Sequence, residues 1–351
     1  MAFSKIDASY LPHRILLVRL ASIILCLLLS AQSLWSQQRE KTDAEILSAL
    51  ATAYNQSLAR KNYGAMKQAL DGIIMRREDA WDERKQRCIV AWGLGDWDSL
   101  EEDYSALVAH GINQIEFLEQ RGLIRWYKGR VDSACEDFMR VRQLSSPECA
   151  VPNCTPKFSH LTEALCQGEL EKRAALNDDE KALLAEINTL RAKPASYIAA
   201  VEEEYAINAN ILAPREGILL LREVTQTLIN TPPLQPLKSA LPLILAAKDH
   251  VDYLNSHSRY GHRGLNGSLP HERVARYSFH RQAVSENIGY GLKSARMLVV
   301  GLLLDDGIQN RGHRMNLLNP QNRSIGIGTA AHPMYPCVCV QVFEETVYPS
   351  R

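Results

Sequence analysis

The chain has 351 residues, 46% of them hydrophobic and 23% charged, with 40 basic and 40 acidic side chains. That composition supports a sizeable core and excludes wholesale disorder. The length suggests two domains, and the neutral balance offers no basic surface for a nucleic-acid partner.

The first stretch reads as an export signal. His13, Arg14 and Arg19 precede the apolar run 20–29, and Ala31-Gln32-Ser33 and Leu34-Trp35-Ser36 follow as small-residue exits. A basic start, a short apolar centre and a small-residue exit predict a signal peptide over 1–36 and an exported mature chain, periplasmic or extracellular. The run is shorter than the roughly 20 residues that span a bilayer, so no stable transmembrane segment is expected after cleavage. Cleavage after Ser33 leaves 37 basic and 39 acidic residues and seven cysteines: Cys88, Cys135, Cys149, Cys154, Cys166, Cys337 and Cys339. In an oxidising compartment at most three pairs form and one thiol is left. Cys149 and Cys154 bracket Ala-Val-Pro-Asn and are the expected local bridge. Cys337 and Cys339 point the same way along a strand and are poorly placed to bond each other.

From 42 to 147 the chain repeats with a period of 34 residues: Lys61-Asn62-Tyr63, Gly95-Asp96-Trp97 and Gly129-Arg130-Val131 fall into register. Each is a polar turn between two amphipathic stretches. In the third copy Gly122 falls where two helices approach closely, Gly129 in the turn, and Ala134 and Phe138 on the packing face. The first copy has Lys61 where the turn glycine belongs. This helix–turn–helix pattern resembles the tetratricopeptide repeat, which implies an all-α stack whose concave surface binds a protein or peptide. A helical spacer is the other reading. Three prolines and two cysteines in 145–156 then break the pattern, and residues 148–179 read as a linker before a domain over 180–346.

That domain opens with a helix carrying Leu183, Ile187 and Leu190 at helical spacing and ending before Pro194. Segment 205–236, with Pro214, Pro232, Pro233 and Pro236, reads as an insertion that covers one rim. A second helix over 241–255 places Ile244, Ala247, Val251 and Leu254 on one face. Glycine-rich turns, a short helix over 270–276, a third helix over 295–304, and strands at 325–328 and 338–343 follow. Helices early and strands late predict an α+β domain, an α/β/α sandwich.

The order of motifs is the informative part. A helix with Asn188 and Arg191, a histidine after the second helix, Glu286-Asn287-Ile288, Gly312-His313-Arg314-Met315-Asn316-Leu317-Leu318-Asn319-Pro320, and Ile325-Gly326-Ile327-Gly328 follow one another over about 165 residues. This series resembles the CAP superfamily of cysteine-rich secretory, antigen 5 and pathogenesis-related proteins. The resemblance is to its bacterial members, since the cysteine pattern of the eukaryotic secretory ones is missing. It implies the sandwich and a broad cleft with two histidines and acidic residues. Residue by residue, His262 matches the first cleft histidine, Glu286 the glutamate and His313 the second histidine. The further acid falls on Asp305 or Asp306, in a stretch that lacks the family's tryptophan, and Ser285 replaces the usual glycine before Glu286.

Two imidazoles beside carboxylates suit zinc or another divalent cation, which makes His262 and His313 the candidate metal ligands. No organic cofactor is implied. Neither a His-Glu-x-x-His helix nor a Gly-x-Ser-x-Gly elbow is present, so Glu286 is the one candidate for catalysis. Three readings stay open. The first is a cleft that binds a metal with a small molecule, lipid or peptide; the second a metal-assisted peptidase or esterase; the third a non-catalytic envelope scaffold. Smaller features read plainly: His250 and His257 as surface residues, His271 and His280 as neighbours of the cleft, Arg314 as partner of an acid, Asn316 as a loop bridge, Tyr260 and Tyr290 as cleft-lining.

Overall fold

The computed structural model describes residues 42–145, 158, 161–278, 283–291 and 294–348. The predicted signal peptide, the Cys149–Cys154 pair and His280 lie outside them. Two compact units divide the chain between Val90 and Ala91.

In the first unit, helix α1 (42–59) and α2 (Tyr63–Ile74) bury Met66 and Leu70 with Val90, and Tyr54 packs against them. Helix α3 (Trp81–Leu94) runs past the division. Asn62 caps α2 by accepting the Ala65 N–H, satisfying one of the amides that a helix start leaves open.

In the second unit α4 (Trp97–Ala109), α5 (Gln114–Tyr127) and α6 (Val131–Leu144) follow as short hairpins. The three positions in the 34-residue register share one backbone state: φ is 53° at Lys61, 67° at Gly95 and 77° at Gly129. Lysine adopts there, against the clash of its own Cβ, the left-handed turn that glycine enters freely. Gly122 is tight for another reason. A Cβ on it would lie 2.9 Å from the Phe138 ring of α6, so the α5–α6 crossing depends on a missing methyl group. Cys135 of α6 is bonded to Cys166 of α7 (Thr162–Cys166), while Cys88, Cys337 and Cys339 form no disulfide among the described residues.

The expected α/β/α sandwich follows. Helix α8 (Glu169–Ala174) leads into α9 (Asp178–Ala192), which starts on a reciprocal capping box between Asn177 and Glu180, with three acids in its first turn. The segment expected as an insertion is helical, α10 (Ile198–Leu212) and α11 (Ile218–Asn230). The sheet comprises β1 (Lys238–Ser239), β2 (Val284–Tyr290), β3 (Ser324–His332) and β4 (Tyr335–Glu344) in the order β1-β3-β4-β2, with β1 parallel to β3 and the rest antiparallel. Helices α12 (Leu241–Ser256), α13 (Pro270–Val274), α14 (Ala295–Leu304) and α15 (Gly312–Leu318) complete it.

Alternation along β3 explains the Ile-Gly-Ile-Gly motif. Ile325 and Ile327 enter the core shared by α9, α10, α11 and α14, while Gly326 and Gly328 face α12. A Cβ on Gly326 would lie 1.9 Å from the Leu243 carbonyl carbon, and one on Gly328 2.9 Å from that of Ala247, so helix backbone rests directly on strand backbone. Arg191 is wholly buried and donates to the carbonyls of Gln235, Leu317, Asn319 and Asn322, tying α9 to the turn after α15. Asn188 exchanges two hydrogen bonds with the main chain of Leu237.

The hairpins from α4 onward pack on the end of this domain. Trp97 donates its indole N–H to the Val347 carbonyl at 2.8 Å and stacks on Tyr348, with ring centres 5.8 Å apart. Tyr127 meets Tyr348 edge-on at 5.3 Å and donates to the Tyr277 carbonyl at 2.7 Å.

Candidate functional site

Glu286 and Asn287 are neighbours on β2, so their side chains leave opposite faces of the strand. On one face the Glu286 carboxylate accepts from Nδ1 of His262 at 2.9 Å and from the Arg273 guanidinium at 2.5 Å. Arg273, from α13, is itself buried and donates also to the carbonyls of His262 and Ser268. Nε2 of His250, on α12, lies 3.9 Å from the same carboxylate and donates to the Gly261 carbonyl at 2.9 Å. On the other face the Asn287 amide donates to the main-chain carbonyl of His313 and accepts from Asn316. Asn316 is thus the loop bridge its position suggested.

His313 has a carboxylate of its own. Asp305 takes a left-handed turn, φ 59°, which brings its two oxygens to the start of α15. One accepts from the His313 main-chain N–H at 2.9 Å and the other from the ring Nδ1 at 2.6 Å. Asp306 turns away, accepting from the amides of Arg215 and Glu216. Arg314 caps α14 through the Leu303 and Leu304 carbonyls and pairs with Glu223 at 2.6 Å. The Arg311 guanidinium holds the Glu216 carboxyl at about 2 and pairs with Glu223 at 2.8 Å, so α11 is tied by charge to the residue that precedes α15.

His250 overturns its expected place at the surface: it is fully buried. Helix α12 is covered on more than one side, by the sheet and by α8 and α13. Burial pushes the His250 imidazole down to about 4, with Glu286 opposing and Arg273 reinforcing, so the ring is neutral and behaves as a packed hydrogen-bond donor. His257 and His271 are exposed, and Tyr290 accepts the Gly261 N–H.

The arrangement leaves each cleft histidine with Nδ1 engaged by a carboxylate and Nε2 as its lone-pair nitrogen, the orientation that metal-binding histidines usually have. The donor set is short, however. Among the described residues no group of three or more His, Cys, Asp or Glu side chains is placed to hold a metal ion. Each histidine offers one ring nitrogen beyond its carboxylate bond, so these residues do not fit a closed structural site.

Residues 184–343 match the profile of the CAP family, described as the cysteine-rich secretory protein family. The C-terminal half carries a CAP domain. No curated protein and no solved structure matches the chain. Within the CAP domain, sequence reasoning missed Arg273 and His250 as parts of the site. Nothing in their spacing marks them, because each acts through contacts closed by the fold.

Proposed function

We propose that this is an exported CAP-domain protein whose cleft, along the open edge of β2, binds a divalent cation such as zinc through Nε2 of His262 and Nε2 of His313 together with an oxygen of a small molecule, lipid or peptide. The observation that carries the reading is the pair of carboxylate-fixed histidines, His262–Glu286 and His313–Asp305. Both rings reach solvent, with side-chain exposures of 50% and 23%. Tyr260, Leu265 and Met315, within three positions of these histidines in sequence, are exposed and suit a ligand with apolar parts. The hairpins over 42–147 serve as a tetratricopeptide-like platform for a protein partner. Export accords with the Cys135–Cys166 bridge, and no helix among the described residues is long and apolar enough to cross a membrane.

Glu286 supports binding over hydrolysis. Its side chain is 1% exposed and engaged by Arg273, which suits a carboxylate that orients His262 better than one that deprotonates water. An envelope scaffold without a ligand is the remaining alternative.

Calorimetric titration with zinc tests the reading. One weak site is expected, with affinity falling as pH drops through the histidine range, since protonated imidazole cannot coordinate. Zinc binding that survives the double substitution His262→Ala, His313→Ala overturns it, and ester or peptide turnover abolished by Glu286→Gln moves the assignment to the hydrolase.

A further inference from the structure

A second cavity, of about 480 Å³, lies between the helical hairpins and the free edge of the CAP sheet, a volume in the range of small-ligand sites. Tyr127 and Tyr348 form one wall, Ala175 and Leu176 another, and Leu241 and Ile244 at the start of α12 close the back. The cleft histidines take no part in it.

Its floor is strand β1. The Lys238 N–H donates to the Arg323 carbonyl and the Ala240 N–H to that of Ile325, so both turn toward β3. In a strand the residue between them turns its N–H and C=O the opposite way, and Ser239 lines the cavity. Among the described residues neither the Ser239 main chain nor its hydroxyl makes a hydrogen bond, and the residue is exposed. A sheet edge with unpaired groups beside apolar walls is the arrangement that captures an extended peptide as an added strand. The charges define which peptide. Lys238, exposed, and Glu171, which accepts the Trp126 indole N–H, both line the same space.

We propose that this cavity binds a short apolar peptide with both termini free as an antiparallel strand on β1. The middle residue exchanges both main-chain hydrogen bonds with Ser239. The next residue toward the C-terminus, about 3.3 Å further along, lies opposite Lys238, whose ammonium receives the terminal carboxylate. Glu171, the one carboxylate in the lining, faces the amine. The apolar side chains lie against Leu176, Leu241 and Ile244.

The test uses the mature full-length protein and the tripeptide Leu-Ala-Leu with free termini, followed by amide NMR and calorimetry. Saturable shifts at the Ser239 amide are expected. Lys238→Glu should weaken binding about tenfold or more, and Ala175→Trp, which fills the space from an exposed position, should abolish it while the melting temperature holds. The N-acetylated, C-amidated peptide should bind more weakly than the free one. Absence of a Ser239 shift overturns the proposal, as does equal binding of free and blocked peptides, or laurate occupying the cavity where the peptide does not. Should Ala175→Trp fail to fold, Lys238→Glu decides alone. The double substitution His262→Ala, His313→Ala should leave peptide binding unchanged, which separates this site from the cleft.

Discussion

Glu344→Gln should make the protein less sensitive to alkaline pH. Glu344 ends β4, is wholly buried, and accepts the Tyr348 hydroxyl at 2.9 Å, at the foot of the tail that holds Trp97 and Tyr127. Burial pushes its carboxyl from an ordinary 4.5 up to about 7. The hydrogen bonds of Tyr348 and Thr346 relieve part of this, and Glu345 adds to it. A displacement of this size corresponds to about 3 kcal/mol between the two protonation states. The folded form holds the proton more tightly than the unfolded chain. The contribution is therefore fully present below 4.5, declines as pH rises, and is gone above about 7. Glutamine keeps the acceptor for Tyr348 and cannot ionise. Thermal unfolding of both proteins across this range, followed by circular dichroism, isolates the effect, because other titrating groups are common to the two. At about 2–4 °C per kcal/mol for a unit of this size, native protein should lose roughly 6–12 °C relative to Glu344→Gln between pH 4.5 and 8. Melting curves that run parallel with pH would refute the argument.

Gly326→Ala should destabilise the protein by on the order of 3 kcal/mol, because its methyl group would meet main-chain atoms of Leu243 that cannot rotate away. Gly93→Ala, with nothing within 4 Å, should be neutral or slightly stabilising in urea melts. Joint replacement of Cys135 and Cys166, 31 residues apart, by serine should cost about 3–4 kcal/mol by the loop-closure estimate. The same melts with and without reductant check it, and native protein indifferent to reductant would contradict the bridge.

The hairpins, the sandwich and the identity of the CAP domain were legible because each has a repeated or ordered signature. Periodicity gave the helices, and five features in sequence order gave the family. What the motifs are for was not legible. Ile-Gly-Ile-Gly is a string until α12 is placed against it, and Arg191 is a helical arginine until four carbonyls converge on it. The choice between Asp305 and Asp306 depended on a left-handed turn that sequence does not announce. His250 was misplaced for a related reason: apolar spacing on α12 marks one buried face, and a helix covered on several sides buries residues outside that stripe. Arg273 pairs with Glu286 across 13 residues, a distance at which pattern carries no proximity.

The bond between Trp97 and Val347 spans 250 positions of chain, and this bears on the order of assembly. Helices α4 to α6 are built from near-neighbour contacts and can form as soon as they are synthesised. The surface on which they come to rest includes Val347 and Tyr348, which are translated some 250 positions later. After synthesis the hairpins therefore wait, folded in themselves but undocked, with the apolar faces of Trp97 and Tyr127 uncovered until Tyr348 arrives. Deleting Val347 and Tyr348 prolongs that wait indefinitely, and its damage falls on the hairpins made earlier in the chain.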